Sequence, residues 1–190
     1  MTIRLPLLFN KQHVLPSGRI PIRIAPGLQM TSLKEALKSP DGFGVCMYEE
    51  RENDNRFYVI GTRVTVEDFY TNDDGSLGIT VYGHECFEIS SFEKNSDGVF
   101  FGECEALPQW PNAQLSENQQ PLADKLQQLF DKFPDLNNMH HHKEFDNLSW
   151  LCLRWLELLP VPTKEKQALI NTASCSATCD YLMSLMLTPH

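Results

Sequence analysis

The 190 residues carry a net charge of −9, from 16 basic and 25 acidic side chains, and 42% of them are hydrophobic. This composition is typical of a folded globular chain and excludes an intrinsically disordered one. The acidic excess repels phosphate backbones, which disfavours nucleic acid as a partner, and no apolar run approaches the roughly 20 residues that span a bilayer, so we expect no membrane segment.

The first predicted elements are strands. A short apolar run at 5–9 is followed by a Pro-Ser-Gly turn at 16–18, after which three isoleucines alternate with other residues over 19–24. This alternation predicts a strand with the isoleucines on one face. Because Pro21 cannot donate a ladder hydrogen bond, we expect either that this strand lies at the edge of its sheet or that the backbone nitrogen of Pro21 faces outward.

The chain as far as about Trp110 is predicted to be rich in strands, with one helix over 30–38. Apolar runs alternate with the turn sequences N-D-N, N-D-D-G and N-S-D-G at 53–55, 72–75 and 95–98. Asp-Gly between apolar runs is typical of tight turns, so the last two sequences predict β-hairpins.

The C-terminal part is predicted to be helical. A polar segment at 111–121 indicates a linker, and helices are predicted over 122–133, 146–158, 164–170 and 174–187. Asp146 is the expected N-cap of the second of these helices.

Several segments follow one another in an order known from one protein family. They are L-P-L-L-F at 5–9 with the isoleucine strand at 20–24, F-G-V at 43–45, I-G-T-R-V at 60–64, T-V-Y-G at 80–83, and the Leu-Pro and Glu-Lys-Gln sequences within 159–167. Together they resemble the N-terminal, substrate-recognition domain of the ATP-dependent protease Lon, over most of the chain. The sequence departs from that family after Ile24, where A-P-G-L-Q-M stands in place of the usual aromatic residue and Glu-Pro.

The resemblance implies an α+β fold, in which a PUA-like β-barrel of about six to eight strands precedes a small helical subdomain. We place the barrel at 1–112, a linker at 113–121 and the helical subdomain at 122–190. The resemblance also implies a non-catalytic module that binds unfolded or client polypeptides, with a Lon-type protease as a further partner and with no cofactor.

The aromatic residues allow two interpretations. Large aromatics dominate core burial, so the tryptophans are expected to pack the helical part against the barrel. In the functional interpretation, Phe9 or Trp110 lines an apolar groove that accepts extended peptide, because exposed apolar surface marks interaction sites.

No catalytic residue is predicted. The phosphate loop of a Lon ATPase module needs Gly-Lys, a dipeptide that the sequence lacks, and a Ser-Lys peptidase module would have to follow that ATPase. We therefore expect a stand-alone recognition domain and not an enzyme. A cytoplasmic location is expected as well, because Arg4 is the one early cation and prolines interrupt the first apolar run, unlike in a signal peptide.

No metal site is predicted either. His84 and Glu88 resemble part of the H-E-x-x-H motif, but on a strand they lie about 13 Å apart, which is too far for one ion. Three consecutive histidines at 140–142 are expected to be solvated. The six cysteines are expected to be reduced core thiols, since the C-x-x-C pairs of structural zinc sites are absent.

Two alternative functions stay open at the level of the sequence. One is a PUA-like protein that binds a small ligand or RNA, which a basic cleft would favour. The other is an unrecognised hydrolase, which would need histidine, cysteine and carboxylate groups that converge in one pocket.

Overall fold

Six β-strands in the first part of the chain form one sheet in the computed structural model, which describes residues 2–50 and 52–187. The strands are β1 (Thr2–Asn10), β2 (Arg19–Ile24), β3 (Phe43–Glu50), β4 (Asn55–Thr71), β5 (Leu77–Lys94) and β6 (Phe100–Ala106). All of them lie in the first of two compact units, residues 1–108 and 109–190.

The sheet closes into a ring. Its strand order is β2–β5–β4–β3–β1–β6, and β6 also pairs with β5. The first half of β5, residues 77–82, pairs with β2, and the later residues 87–94 pair with β6. The β1–β3 pair is parallel and the other pairs are antiparallel, so the ring combines local hairpins with long-range pairing of the N-terminal strand.

Strand β2 lies at the edge of the sheet, one of the two placements expected from the sequence, and its outer side is protected. Pro21 lacks an amide hydrogen and cannot donate to a further strand. In addition, a side chain of helix α1 (Leu28–Lys38) forms hydrogen bonds with backbone groups at the end of β2. Gln29 Nε2 donates to the Arg23 carbonyl oxygen (3.1 Å), and the Ala25 amide donates to Gln29 Oε1 (2.9 Å). Such features disfavour the addition of a further strand at this edge.

Buried side chains lie on both faces of the sheet, because neighbouring residues of a strand point to opposite sides. One cluster packs against α1 and includes Leu8, Ile22, Leu33, Val64 and Ile79. The other cluster, here called the ring core, consists of residues from the strands that close the ring, namely Leu5, Leu7, Cys46, Phe87, Ile89 and Cys104.

The two predicted turns, N-D-D-G and N-S-D-G, connect consecutive strands. The turn at 72–75 joins β4 to β5, and that at 95–98 joins β5 to β6. Gly75 and Gly98 both have φ of 88°, a left-handed conformation that glycine adopts without steric cost. The predicted hairpins are thus confirmed.

The second unit is helical. Its α-helices are α2 (Gln120–Lys132), α3 (Pro134–Met139), α4 (Leu148–Leu158), α5 (Thr163–Ile170) and α6 (Ser176–Leu187), and a short 3-10 helix, Glu117–Gln119, precedes α2. They enclose a core that includes Leu122, Phe130, Trp150, Leu151 and Leu182, and the six-residue α3 was not predicted. The predicted α+β class, with a barrel-like ring of strands and a set of helices, is confirmed; the boundaries at 112 and 121 stay a prediction.

Helix α4 is capped by Asn147, and the prediction of Asp146 was wrong. Asn147 Oδ1 accepts hydrogen bonds from the amides of Ser149 and Ala113 (3.2 Å each), and its Nδ2 donates to Asn112 Oδ1 (3.0 Å). A carboxylate only accepts hydrogen bonds, whereas an amide side chain also donates, so asparagine satisfies this site better.

Candidate functional site

The candidate site lies where two hairpins of the first unit separate. Strands β4 and β5 pair over residues 60–71 and 77–88. Beyond this stretch, residues 55–57 of β4 pair with β3, whereas residues 89–94 of β5 pair with β6. Because the two strands continue with different partners, the β3–β4 and β5–β6 hairpins diverge here.

Phe9 lies between these hairpins. It follows Leu5 and Leu7 on the same face of β1, but it is only partly buried and packs on the ring core from the edge. Its ring lies 4.7 Å from the ring of Phe57 on one hairpin and 5.5 Å from the ring of Phe100 on the other, both edge-on. Phe9 therefore connects the two hairpins through aromatic contacts.

The β3–β4 hairpin adds exposed apolar surface next to Phe9. The rings of Tyr48 and Phe57 are 6.3 Å apart, and Phe57 is 46% exposed. Val59, which is 44% exposed, alternates with the buried Tyr58 and so shares a face with Phe57. We call the four contacting rings, Phe9, Tyr48, Phe57 and Phe100, the aromatic patch.

The β5–β6 hairpin extends this surface. Phe92 is 45% exposed and pairs across the strands with Gly102, so the two share a face. A side chain at Gly102 would meet Leu7 and Ile89 of the ring core, which identifies that face as the one that bears the aromatic patch. Monomeric proteins seldom expose contiguous apolar groups of this kind, and such surfaces mark interaction sites.

Two lysines rest on rings of the aromatic patch. Lys11 Nζ lies 6.0 Å from the centroid of Tyr48 and 3.0 Å from Glu50 Oε1, and this hydrogen-bonded carboxylate raises the pKa of Lys11. Lys94 Nζ lies 5.4 Å from the centroid of Phe100. Both contacts are cation–π interactions on a surface reached by solvent.

Trp110, the second predicted peptide-binding residue, lies in the other compact unit. Its indole Nε1 donates to the Thr172 carbonyl oxygen (2.9 Å), and its ring packs against the helical core while staying partly exposed. Trp150 and Trp155 are buried in that same core. A peptide-binding role for Trp110 stays a prediction.

His84 takes part in a polar network on the barrel. Its Nε2 lies 2.9 Å from Thr65 Oγ1, and burial, followed by the charge of Arg63, lowers the pKa of His84. Arg63 forms a bidentate ion pair with Glu85 (2.7 and 3.0 Å), which lowers the pKa of that carboxyl. A satisfied network of this type is structural, and Glu88 is not part of it.

The described residues contain no group of three or more histidine, cysteine or acidic side chains arranged to hold a metal ion. All six cysteines are buried thiols outside any disulfide, as predicted. Burial raises the pKa values of Cys46, Cys152 and Cys179, and that of Cys104 to about 12, so these thiols are poor nucleophiles.

The prediction that the histidine triplet is solvated was wrong for one member. His141 and His142 are exposed, but His140 is 3% exposed and stacks on Phe130 with a centroid distance of 5.4 Å. The loop before α4 bends this ring into the helical core, a placement that a run of identical residues does not indicate.

The helical unit contains an open surface depression of about 390 Å³. It is lined by Asn112, Ala113, Gln114, Glu144, Asp146 and Asn147. The side-chain amide of Asn147 already caps α4, and no histidine, cysteine or serine accompanies the carboxylates of Glu144 and Asp146 among the lining residues. The depression therefore lacks the groups of a hydrolytic site.

The sequence analysis named Phe9 as a candidate but did not name Tyr48, Phe57, Phe92 or Phe100. The available signal was the alternation of aromatic or aliphatic residues with buried ones at 57–60, next to the polar turn at 53–55. It could not show that the two hairpins meet Phe9.

No helix within the described ranges 2–50 and 52–187 combines the length and the hydropathy that crossing a bilayer requires.

Comparison with known proteins agrees with this architecture. Residues 4–188 match the family model of the ATP-dependent protease La (LON) substrate-binding domain. The crystal structure of a Lon N-terminal domain protein from Xanthomonas campestris superposes with a TM-score of 0.72 at 21% identity, covering 98% of this chain and 99% of that one. The N-terminal domain of the Mycobacterium avium complex Lon protease gives 0.65 at 15% identity, with 96% and 97% covered. No significant match is found among curated proteins.

Proposed function

Since the chain belongs to the family of substrate-binding domains of the ATP-dependent protease La (Lon), we propose that it binds unfolded polypeptides and that the aromatic patch is its binding surface. The matched domain is a non-catalytic module of substrate recognition. The observation that carries the proposal is the group of contacting rings that joins two diverging hairpins and leaves Phe57 nearly half exposed.

The chemistry of the patch suits an extended, unfolded segment. Folded proteins bury most of their aromatic and branched aliphatic side chains, so they present few apolar groups that can pack on the exposed rings of the patch. An unfolded chain presents such side chains together, and each one that packs on a ring removes apolar area from water. The protected end of β2 disfavours strand addition at that strand, and the mode of binding that we propose is contact between client side chains and the rings of the patch.

Trp110 is proposed only as a second contact for the client, separate from the aromatic patch. Part of its ring is exposed, but the hydrogen bond to Thr172 and the helical core hold the rest. We expect its substitution to affect the stability of the helical unit before it affects binding.

The proposal is tested by fluorescence anisotropy with a labelled, reduced and carbamidomethylated protein as a permanently unfolded client. Phe57→Ser, in the aromatic patch, should weaken binding by about tenfold, the usual effect of removing a central aromatic contact. Phe92→Ser, on the surface by which the β5–β6 hairpin extends the patch, should weaken binding to a smaller extent. Phe69→Ser is the matched control, because Phe69 is 53% exposed and lies near the other end of β4.

Equal affinity of the wild type, the Phe57 variant and the Phe92 variant would refute the aromatic patch as the binding surface. Binding of the folded client as tightly as the unfolded one would refute the preference for unfolded chains. Circular dichroism of every variant verifies that the fold is kept.

A Lon-type protease is the further partner that we propose from the family. If the domain delivers clients, its addition should change the rate at which such a protease degrades a labelled unfolded client, and Phe57→Ser should remove this change. No effect on degradation, with client binding intact, would restrict the function to binding alone.

A further inference from the structure

We propose that the aromatic patch selects apolar segments that are flanked by lysine or arginine, an inference that rests on the proposed function. It names the chemistry of the client, which the family alone leaves open. Two observations point to it, the cations that already lie on the rings and the acidic residues on the same hairpin.

The rings of the patch already bind ammonium groups. Lys11 lies over Tyr48 and Lys94 over Phe100, and the side chains of Lys11 and its partner Glu50 are 58% and 62% exposed. Contacts between exposed side chains are weak and exchange easily, so the ammonium or guanidinium group of a client is able to take the same positions on the rings.

Acidic side chains border the patch. The hairpin that carries Tyr48 and Phe57 has four acidic residues and two arginines within positions 49–56, a net charge of −2, and Glu50, Glu52 and Asp54 are exposed. Over residues 1–108 as a whole, 16 acidic side chains stand against 10 basic ones. A basic flank of a bound segment therefore approaches a surface of opposite charge, and an acidic flank approaches one of like charge.

The same charge distribution disfavours the alternative occupants. A phosphate backbone would meet the acidic border, and an acidic segment would lose the attraction of the rings for cations. A segment with apolar side chains for the rings and a basic residue beside them satisfies both features of the surface.

The test uses the full chain and three fluorescein-labelled peptides with one apolar core, rich in Leu and Phe, and flanks of Lys, Gln or Glu. At low ionic strength the Lys-flanked peptide should bind about fivefold more tightly than the Gln-flanked one, and the Glu-flanked peptide should bind most weakly. These differences should shrink at about 0.5 M salt, because the flanks are screened.

A double variant locates the selectivity. Glu52→Gln with Asp54→Asn should reduce the preference for the Lys-flanked peptide by about threefold while the affinity for the Gln-flanked peptide stays the same. The matched control, Asp73→Asn with Glu105→Gln, removes the same charge from the β4–β5 turn and from the far end of β6, and it should keep the preference.

The outcomes separate the two proposals. Equal affinities for all three peptides would overturn the selectivity and leave the binding function standing. Failure of all three to bind would overturn both. Tighter binding of the Glu-flanked peptide, or an equal loss of preference in the two double variants, would show that the acidic border of the patch does not select the client.

Discussion

The close packing around Gly61 shows how single residues shape the ring. A Cβ atom there would lie 2.8 Å from both Phe87 Cζ and the Val45 carbonyl oxygen. The backbone oxygen is fixed by the ladder, so a methyl group at this position displaces either the strand or the ring of Phe87. Because Gly61 has no side chain, the aromatic ring of Phe87 has room to fill the ring core.

We predict that Gly61→Ala lowers the free energy of unfolding by about 1–3 kcal/mol, the usual cost of overpacking a close-packed site. Urea denaturation provides the measurement. Gly102→Ala is the control with a smaller expected loss, because its nearest contact would be the flexible end of Leu7 at 3.1 Å. A Gly61→Ala protein as stable as the wild type would show that the ring core is more adaptable than these distances indicate.

His84 is predicted to make stability depend on pH. Burial and the nearby Arg63 lower its pKa below the ordinary value of 6.5. The unfolded chain therefore binds the proton more readily than the folded one, and the free energy of unfolding decreases as the pH falls through 6.5 toward the lower folded pKa.

The comparison of His84→Gln with the wild type isolates this contribution. Urea unfolding at about pH 7.5 and about pH 5.5 should show a smaller loss of stability in the variant than in the wild type. His141→Gln, at an exposed position, should behave like the wild type. An identical loss in the His84 variant would assign the pH dependence to other groups.

At the scale of elements, the cap of α4 connects two segments that are distant in sequence. Asn147 binds the first turn of its own helix and also the backbone and side chain of residues 112 and 113. The Ser149 hydroxyl adds a hydrogen bond to the Pro111 carbonyl oxygen (2.5 Å). The polar segment that precedes α2 is thereby fastened to the helical core.

We predict that Asn147→Ala lowers the free energy of unfolding by about 1–2 kcal/mol, the range for loss of an N-cap. Thermal denaturation followed by circular dichroism measures the effect. Asp146→Ala is a matched control on the neighbouring residue, which is exposed, and it should change stability by less than about 0.5 kcal/mol. Equal effects of the two substitutions would contradict the assignment of the cap.

Most elements were predictable because their signals are local. Alternating isoleucines gave β2, Asp-Gly turns gave the hairpins, and apolar periodicity gave the long helices α2, α4 and α6. The predictions failed where tertiary contacts determine the local structure. Asn147 caps α4 because residues 112 and 113 approach it, and α3 is too short to show a helical period.

At the scale of the whole molecule, the candidate site could be predicted only in part. Phe9 was predicted as a residue that lines an apolar groove, but the other rings of the patch come from β3, β4 and β6. The parallel pairing of β1 with β3 and the closure of β6 on β5 bring them together. Such pairing between distant segments leaves no periodic trace in the sequence, so the aromatic patch emerged only from the fold.

The distribution of the cysteines gives the last prediction. Three of them, Cys46, Cys86 and Cys104, lie in strands of the ring, and the other three lie in the helical unit, yet every one is a buried thiol outside any disulfide. A thiol must be exposed and ionised to react with a disulfide reagent. Burial keeps the reagent away from the thiol, and it also opposes ionisation because it raises the pKa of the thiol. Reaction with Ellman's reagent therefore reports whether both units are folded.

In native buffer we expect fewer than about one thiol to react within minutes, and in guanidinium chloride all six should react. Ser96→Cys, at an exposed position of the β5–β6 turn, is the positive control and should add one fast thiol. Fast reaction of three thiols in the native wild type would mean that one unit opens while the other stays closed. Assigning the labelled cysteines by mass spectrometry would then identify that unit, since each contains a different set of three.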